Sequence, residues 1–161
     1  MRAGEFSVFD TWVQKDEILI RDGIAELNLL NGAPLSLAGR QPRHQMDWSA
    51  LLYKDGLGAA LNGTWKSATA VGDGDALAPD NLSFSALGTV NLRMFADLGR
   101  LPATHDHEWA HGMRVAFQVL NLLDRRQTVQ DSAGITPLAF APGYLDPAGR
   151  TVWFTVRKSF Q

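Results

Sequence analysis

Residues 83–98 read SFSALGTVNLRMFADL, and they sort by parity. Phe84, Ala86, Gly88, Val90, Leu92, Met94, Ala96 and Leu98 fall on one side, while Ser83, Ser85, Thr89, Asn91, Arg93 and Asp97 fall on the other. A helix, with its period of about 3.6, would mix these two sets; a strand sends successive side chains to opposite faces and keeps them apart. The run is also longer than the ~5–6 residues of an ordinary globular strand, and longer than the ~9–11 that cross a bilayer.

The same period recurs along the chain and predicts six strands, near residues 5–20, 44–54, 57–71, 83–98, 113–119 and 151–160. In the second, Met46, Trp48, Ala50 and Leu52 oppose Gln45, Asp47, Ser49 and Tyr53. In the third, Ala59, Leu61, Gly63 and Trp65 oppose Asn62, Thr64 and Lys66. The fifth sets Met113, Val115, Phe117 and Val119 against Arg114, Ala116 and Gln118, and the sixth sets Val152, Phe154, Val156 and Phe160 against Thr151, Thr155, Arg157 and Ser159. The first is the least regular, because Asp10, Gln14 and Asp16 interrupt the side that carries Phe6, Val8, Trp12, Ile18 and Ile20. Strands that follow one another in this way predict an all-β fold, an antiparallel meander.

The connections are of two kinds. Long or Gly-, Pro-, Asp- and Asn-rich segments follow strands one, three and five; the turn after strand two, KDGLG, is very short, and GRLPATHDHEWAHG after strand four is intermediate. Short turns at one end and long loops at the other characterise a transmembrane barrel. Faces of Ala, Gly, Val, Leu, Met and Phe opposite polar and charged faces fit lipid outside and water or a plug inside, but a soluble sandwich shows the same alternation with the apolar face turned inward. Periodicity alone does not separate the two. Trp12, Trp48, Trp65, Trp109 and Trp153 are candidates for interfacial aromatics, with Trp153 on the polar parity.

Composition removes other classes. A chain of 161 residues with a formal net charge of -2 carries no basic stripe for nucleic acid, so no nucleic-acid partner is expected. No run approaches the ~18 apolar residues of a transmembrane helix, and MRAGEFSVFD lacks the parts of a signal peptide. Without cysteine there is neither a disulfide framework nor a thiol metal site.

The last fifty residues resemble the C-terminal end of the TonB-dependent receptors, the plugged outer-membrane barrels that import scarce nutrients. VLNLLDRRQTVQDSAG is similar to the end of that family's penultimate strand and the loop after it, PGYLDPAGRTV to the approach to the closing strand, and TVWFTVRKSF to the closing strand itself. Upstream, RHQMDWSALLYKDGLGAALNGTWKSAT and LSFSALGTVNLRMFADLG resemble a hairpin and the following strand of the same barrels. The resemblance implies that residues 1–161 are the C-terminal part of a 22-stranded transmembrane β-barrel, incomplete alone, since single-chain barrels begin at about 8 strands. It implies a Gram-negative outer-membrane location when the chain is joined to the missing N-terminal part, with signal peptide, TonB-contacting segment and plug domain absent here. The implied function is active uptake of a nutrient such as an iron-siderophore complex. The implied partners are outer-membrane lipid, the remaining barrel and plug, the inner-membrane TonB complex through the missing part, and the barrel-assembly machinery. That machinery would read Phe154, Val156 and Phe160 as its signal, although here Gln161 follows the terminal aromatic. Asn91, Arg93, Asp97, Arg114 and Gln118 would face the plug. In a closed barrel the last strand pairs with the first, which accounts for a chain that finishes on a strand with an apolar side.

Two clusters carry metal-ligand residue types. HDHEWAH holds His105, His107 and His111 with Asp106 and Glu108, and His105 and His107 would share one side if the segment were extended. VGDGDALAPD holds Asp73, Asp75 and Asp80 but not the order of an EF-hand. Both read better as polar loops, so no metal or cofactor is assigned. Asp124, Arg125, Arg126, Asp146 and Arg150 are candidates to shape an entrance for charged ligands, against the plainer reading that charges in a loop are solvated. No nucleophile-and-base pair stands out, so no catalytic residue is assigned and the chain reads as a non-enzyme. Two other readings stay open at this point: a soluble β-sandwich binding module, and a small metal-dependent enzyme around HDHEWAH.

Overall fold

The computed structural model describes residues 2–19, 21–23, 26–28, 30, 41–72 and 81–160. Six long strands form one sheet: β1 (Arg2–Trp12), β2 (His44–Lys54), β3 (Leu57–Lys66), β4 (Leu87–Asp97), β5 (Met113–Leu120) and β6 (Thr151–Lys158). Their order across the sheet is their order in the chain, and every neighbouring pair is antiparallel. The fold is therefore the all-β meander that alternation predicts. The sheet is open among the described residues, with β1 at one edge and β6 at the other.

One end of the sheet carries a tight turn and an intermediate one. Asp55 and Gly56 join β2 to β3 with φ of 47° and 91°, both left-handed, as a two-residue hairpin turn requires. Between β4 and β5 the chain makes two 3-10 turns, Leu98–Arg100 and Glu108–Ala110. This turn is tied to its neighbours: the Asp97 N–H donates to the Gly56 carbonyl at 2.7 Å, and the Ser159 N–H donates to the Gly112 carbonyl at 2.9 Å.

At the opposite end the first three strands stop at one level. Trp12 pairs with His44, the Ser67 N–H donates to the His44 carbonyl at 2.9 Å, and the Val13 N–H donates to the Arg43 carbonyl. Past that level the chain builds separate small sheets. Glu17–Ile18 pairs with Leu27–Asn28, while Thr69–Val71, Leu82–Phe84 and Val129–Gln130 make a three-stranded sheet with Leu82–Phe84 in the middle.

Four of the expected strands differ in their limits by more than one residue from those observed. The first strand runs over 2–12 and not 5–20: its ladder with β2 ends at the Trp12–His44 pair, with one further hydrogen bond from the Val13 N–H to the Arg43 carbonyl. The third and fourth break at Ser67–Ala68 and Ser85–Ala86, so 69–71 and 82–84 keep strand geometry but leave the large sheet. Phe84 therefore does not share the face of Val90: it is buried against Val129, which has no exposed surface, and meets the Phe140 ring edge-on at 5.8 Å. Leu98 opens a 3-10 turn, and Phe160 lies past the end of β6.

Candidate functional site

Register turns alternation into surface. One row across the sheet is Phe6, Ala50, Leu61, Leu92, Val119 and Val152; the next is Gly4, Leu52, Ala59, Met94, Phe117 and Phe154. Val8, Trp48, Gly63 and Val90 form a third row, and Leu57, Ala96, Val115 and Val156 a fourth. All four rows share a parity, so the sheet has one continuous apolar face. Lys54, at the short-turn end, and Asp10, toward the long-loop end, stand on the same side.

Among the described residues no second layer covers this face. Twelve of its large apolar side chains are exposed, from Phe6 and Phe154 at 70% and Leu52 at 60% down to Met46 at 38%. Full burial of one such side chain is worth roughly 1.5–3 kcal/mol, so covering twelve that are about half exposed is comparable with the ~5–15 kcal/mol by which a domain is stable. Such a face demands an apolar neighbour. β1, β2 and β4 are each 11 residues long, and at ~3.3 Å per residue they measure roughly 35 Å, enough to cross a bilayer when tilted. Trp12 and Trp65 occupy the apolar face near its long-loop end, Trp48 stands one row further in than Trp65, and exposed Trp109 lies in the turn at the other end. Trp153 is on the opposite face, paired with Gln118.

Several polar groups of the opposite face pair with one another. Ser7 and Ser49 hydroxyls are 2.7 Å apart, Thr64 donates to one Asp47 oxygen at 2.7 Å and Gln45 to the other at 2.8 Å. Asn91, Arg93, Asp97, Arg114 and Gln118 all fall here, Arg93 opposite Gln118 and Asp97 opposite Arg114. Tyr53, Gly58 and Phe95 form an aromatic row: Phe95 stacks on Tyr53 at 6.1 Å and carries the Arg114 guanidinium 5.2 Å above its ring. Gly58 sits beneath Phe95, where an added Cβ would overlap the ring.

At the short-turn end of this face lies a pocket of about 580 Å³ lined by Asp97, Arg100, His111, Arg114 and Arg157. Arg114 grips Asp97 with two parallel hydrogen bonds, Nε to Oδ1 and Nη2 to Oδ2. The sequence pattern missed this grouping, since four different segments supply it and only the register of β4, β5 and β6 brings them together.

HDHEWAH is a turn followed by a 3-10 helix and not an extended segment, so its histidines do not line one side. His105 Nδ1 lies 3.0 Å from the Pro102 carbonyl and its Nε2 3.0 Å from Asp106; His107 stacks on Trp109 at 6.0 Å; His111 Nε2 is 2.7 Å from the His105 carbonyl. No group of three or more potential ligands is gathered for a metal among the described residues. Asp73, Asp75 and Asp80 lie outside the described residues, as does Gln161.

The charged loop residues act on the backbone. Asn121, 8% exposed with φ 50°, accepts from the Arg125 N–H and donates to the Arg125 carbonyl, while its own N–H donates to the Asn91 side chain. Asp124 accepts from the Arg150 N–H at 3.0 Å, and Asp146 accepts from the Gly149 N–H at 2.9 Å, which fixes the approach to β6. Farther out, Lys15 Nζ lies 2.6 Å from Glu17, and this hydrogen bond holds its ammonium above the usual range. Of the three residues expected to signal assembly, Phe154 and Val156 are exposed on the apolar face of edge strand β6, and Phe160 is 87% exposed beyond it.

Comparison with family models, curated proteins and solved structures finds no match to this chain.

Proposed function

We propose that the chain is the C-terminal barrel segment of an outer-membrane TonB-dependent receptor for active uptake of a scarce nutrient such as an iron-siderophore complex. The observation that carries the reading is the uncovered apolar face, continuous over six strands in register. Long loops gathered at one end and shorter connections at the other support it, as does the resemblance of the closing strand. In this reading lipid covers the apolar face, and the plug meets the face that carries Arg93, Gln118 and Trp153. The two edges, β1 and β6, pair with the rest of the 22-stranded barrel, and the barrel-assembly machinery reads the end of β6. Ligand capture and energy transfer from the inner membrane belong to the complete receptor.

Fractionation of the producing cells tests this. The chain should sediment with the outer membrane, resist alkaline extraction, and have its tryptophan fluorescence quenched by lipids brominated in the acyl chains. Recovery as a compact soluble monomer without quenching would overturn it in favour of a soluble β-sandwich binding module.

A further inference from the structure

The pocket at the short-turn end contains a charge arrangement that the fold alone does not account for. Arg114 and Arg157 stand directly opposite each other in the β5–β6 register. Directly opposed side chains have Cβ atoms about 4.5–5.5 Å apart, and like charges in that position destabilise a sheet. Of the two, Asp97 hydrogen-bonds Arg114, through both of its oxygens. Arg100 lines the same pocket and donates to the Tyr53 hydroxyl at 3.5 Å, and His111 also lines it. Three arginines against one aspartate leave this pocket at 3 − 1 = +2 on a chain whose formal net charge is −2.

We propose that this pocket binds a doubly charged tetrahedral oxyanion, a phosphate group, held chiefly by Arg157 and Arg100 and steadied by the Asp97–Arg114 pair. Guanidinium groups offer planar forks that match phosphate oxygens two at a time, and such charge-assisted bonds are the strong ones. A dianion neutralises the pocket and turns the Arg114–Arg157 repulsion into a shared contact. Phe95, under the Arg114 guanidinium, limits how far that group can swing away. The inference rests on strand register and pocket chemistry, so it stands or falls separately from the membrane reading.

The phosphate could come from free solute or from a phosphorylated headgroup, and the test separates them. Calorimetric titration of the detergent-solubilised chain with inorganic phosphate should show saturable binding. Arg157→Gln should weaken it about tenfold or more, Arg157→Lys less, and Arg93→Gln, on the same face outside the pocket, not at all. Flotation with phosphatidylcholine vesicles, with and without phosphatidic acid, asks whether a headgroup supplies the group. Binding in either arm that depends on Arg157 supports the site and names its source. Arg157→Gln also relieves the repulsion, so without phosphate this variant should unfold no earlier than the parent, which distinguishes lost binding from lost fold. Equal phosphate affinity of Arg157→Gln and the parent, or no saturable binding in either arm, overturns the proposal.

Discussion

Gly58 is the position at which one added carbon has the most calculable consequence. It is the second residue of β3, between Tyr53 and Phe95, and its backbone is not among the left-handed residues, so alanine fits the conformation. What alanine does not fit is the space, because its Cβ would overlap the Phe95 ring. Moving that ring gives up the stack on Tyr53, worth roughly 0.5–1.5 kcal/mol, and the contact with Arg114, worth roughly 0.5–1 kcal/mol at an exposed site. Against this loss of about 1–2.5 kcal/mol, removing a strand glycine returns roughly 0.5–1 kcal/mol of backbone entropy. Gly58→Ala should therefore destabilise by about 1 kcal/mol. In a Phe95→Ala background only the entropy gain survives, so the same substitution should stabilise. Urea unfolding followed by tryptophan fluorescence, run on both singles and the double, measures the difference between backgrounds, expected at about 1–2.5 kcal/mol. An identical effect of Gly58→Ala in both backgrounds would refute the argument that the glycine exists to seat the ring.

Other positions give sharper contrasts with simpler assays. Leu92→Arg, in the middle of the apolar face, should cost roughly 2–4 kcal/mol of folding stability in lipid vesicles, whereas Asn62→Arg on the opposite face of the neighbouring strand should be close to neutral. Asn121→Gly keeps the left-handed backbone comfortable and removes the amide that brackets Arg125; a loss of about 1–3 kcal/mol is expected, with faster hydrogen exchange at the Arg125 amide. Asp124→Ala should speed exchange at the Arg150 amide, and Asp124→Asn, which retains an acceptor, should restore most of its protection. Phe160→Asp in the complete receptor should lower outer-membrane abundance on immunoblots; unchanged abundance would mean that β6 is not read as the assembly signal.

The meander was legible because alternation survives wherever a strand has two unlike faces. The expected and observed strands agree over 44–54 and at the start of the third strand at Leu57, since the Asp55–Gly56 hairpin is written in local sequence, while the third ends at Lys66 and not at residue 71. Where expectation failed, alternation was still present but belonged to another sheet. Thr69–Val71 and Leu82–Phe84 alternate as strands do, yet parity carries no record of which partner a strand has. Phe84 looks like one more residue of the Val90 face until its pairing with Val129 is known. The pocket of Arg100, Arg114 and Arg157 was illegible for the same reason: each arginine is unremarkable in its own segment, and only pairing across three strands makes them neighbours. HDHEWAH reads as a polar turn from its sequence, and what the sequence did not show is the 3-10 helix that takes the segment out of the extended form in which His105 and His107 would share one side.

The three-stranded sheet beyond the long-loop end has a practical meaning for anyone recombining such proteins. Its strands come from two separate connections, Thr69–Val71 and Leu82–Phe84 from the one after β3 and Val129–Gln130 from the one after β5. The Ser85 N–H also donates to the Thr128 carbonyl, and the Ser85 hydroxyl accepts from the Thr128 N–H. A graft that exchanged either connection alone would strip Phe84 of Val129 and leave a row of backbone groups unmet. The two connections therefore form one transplantable cassette, to be inherited, swapped or diversified as a pair.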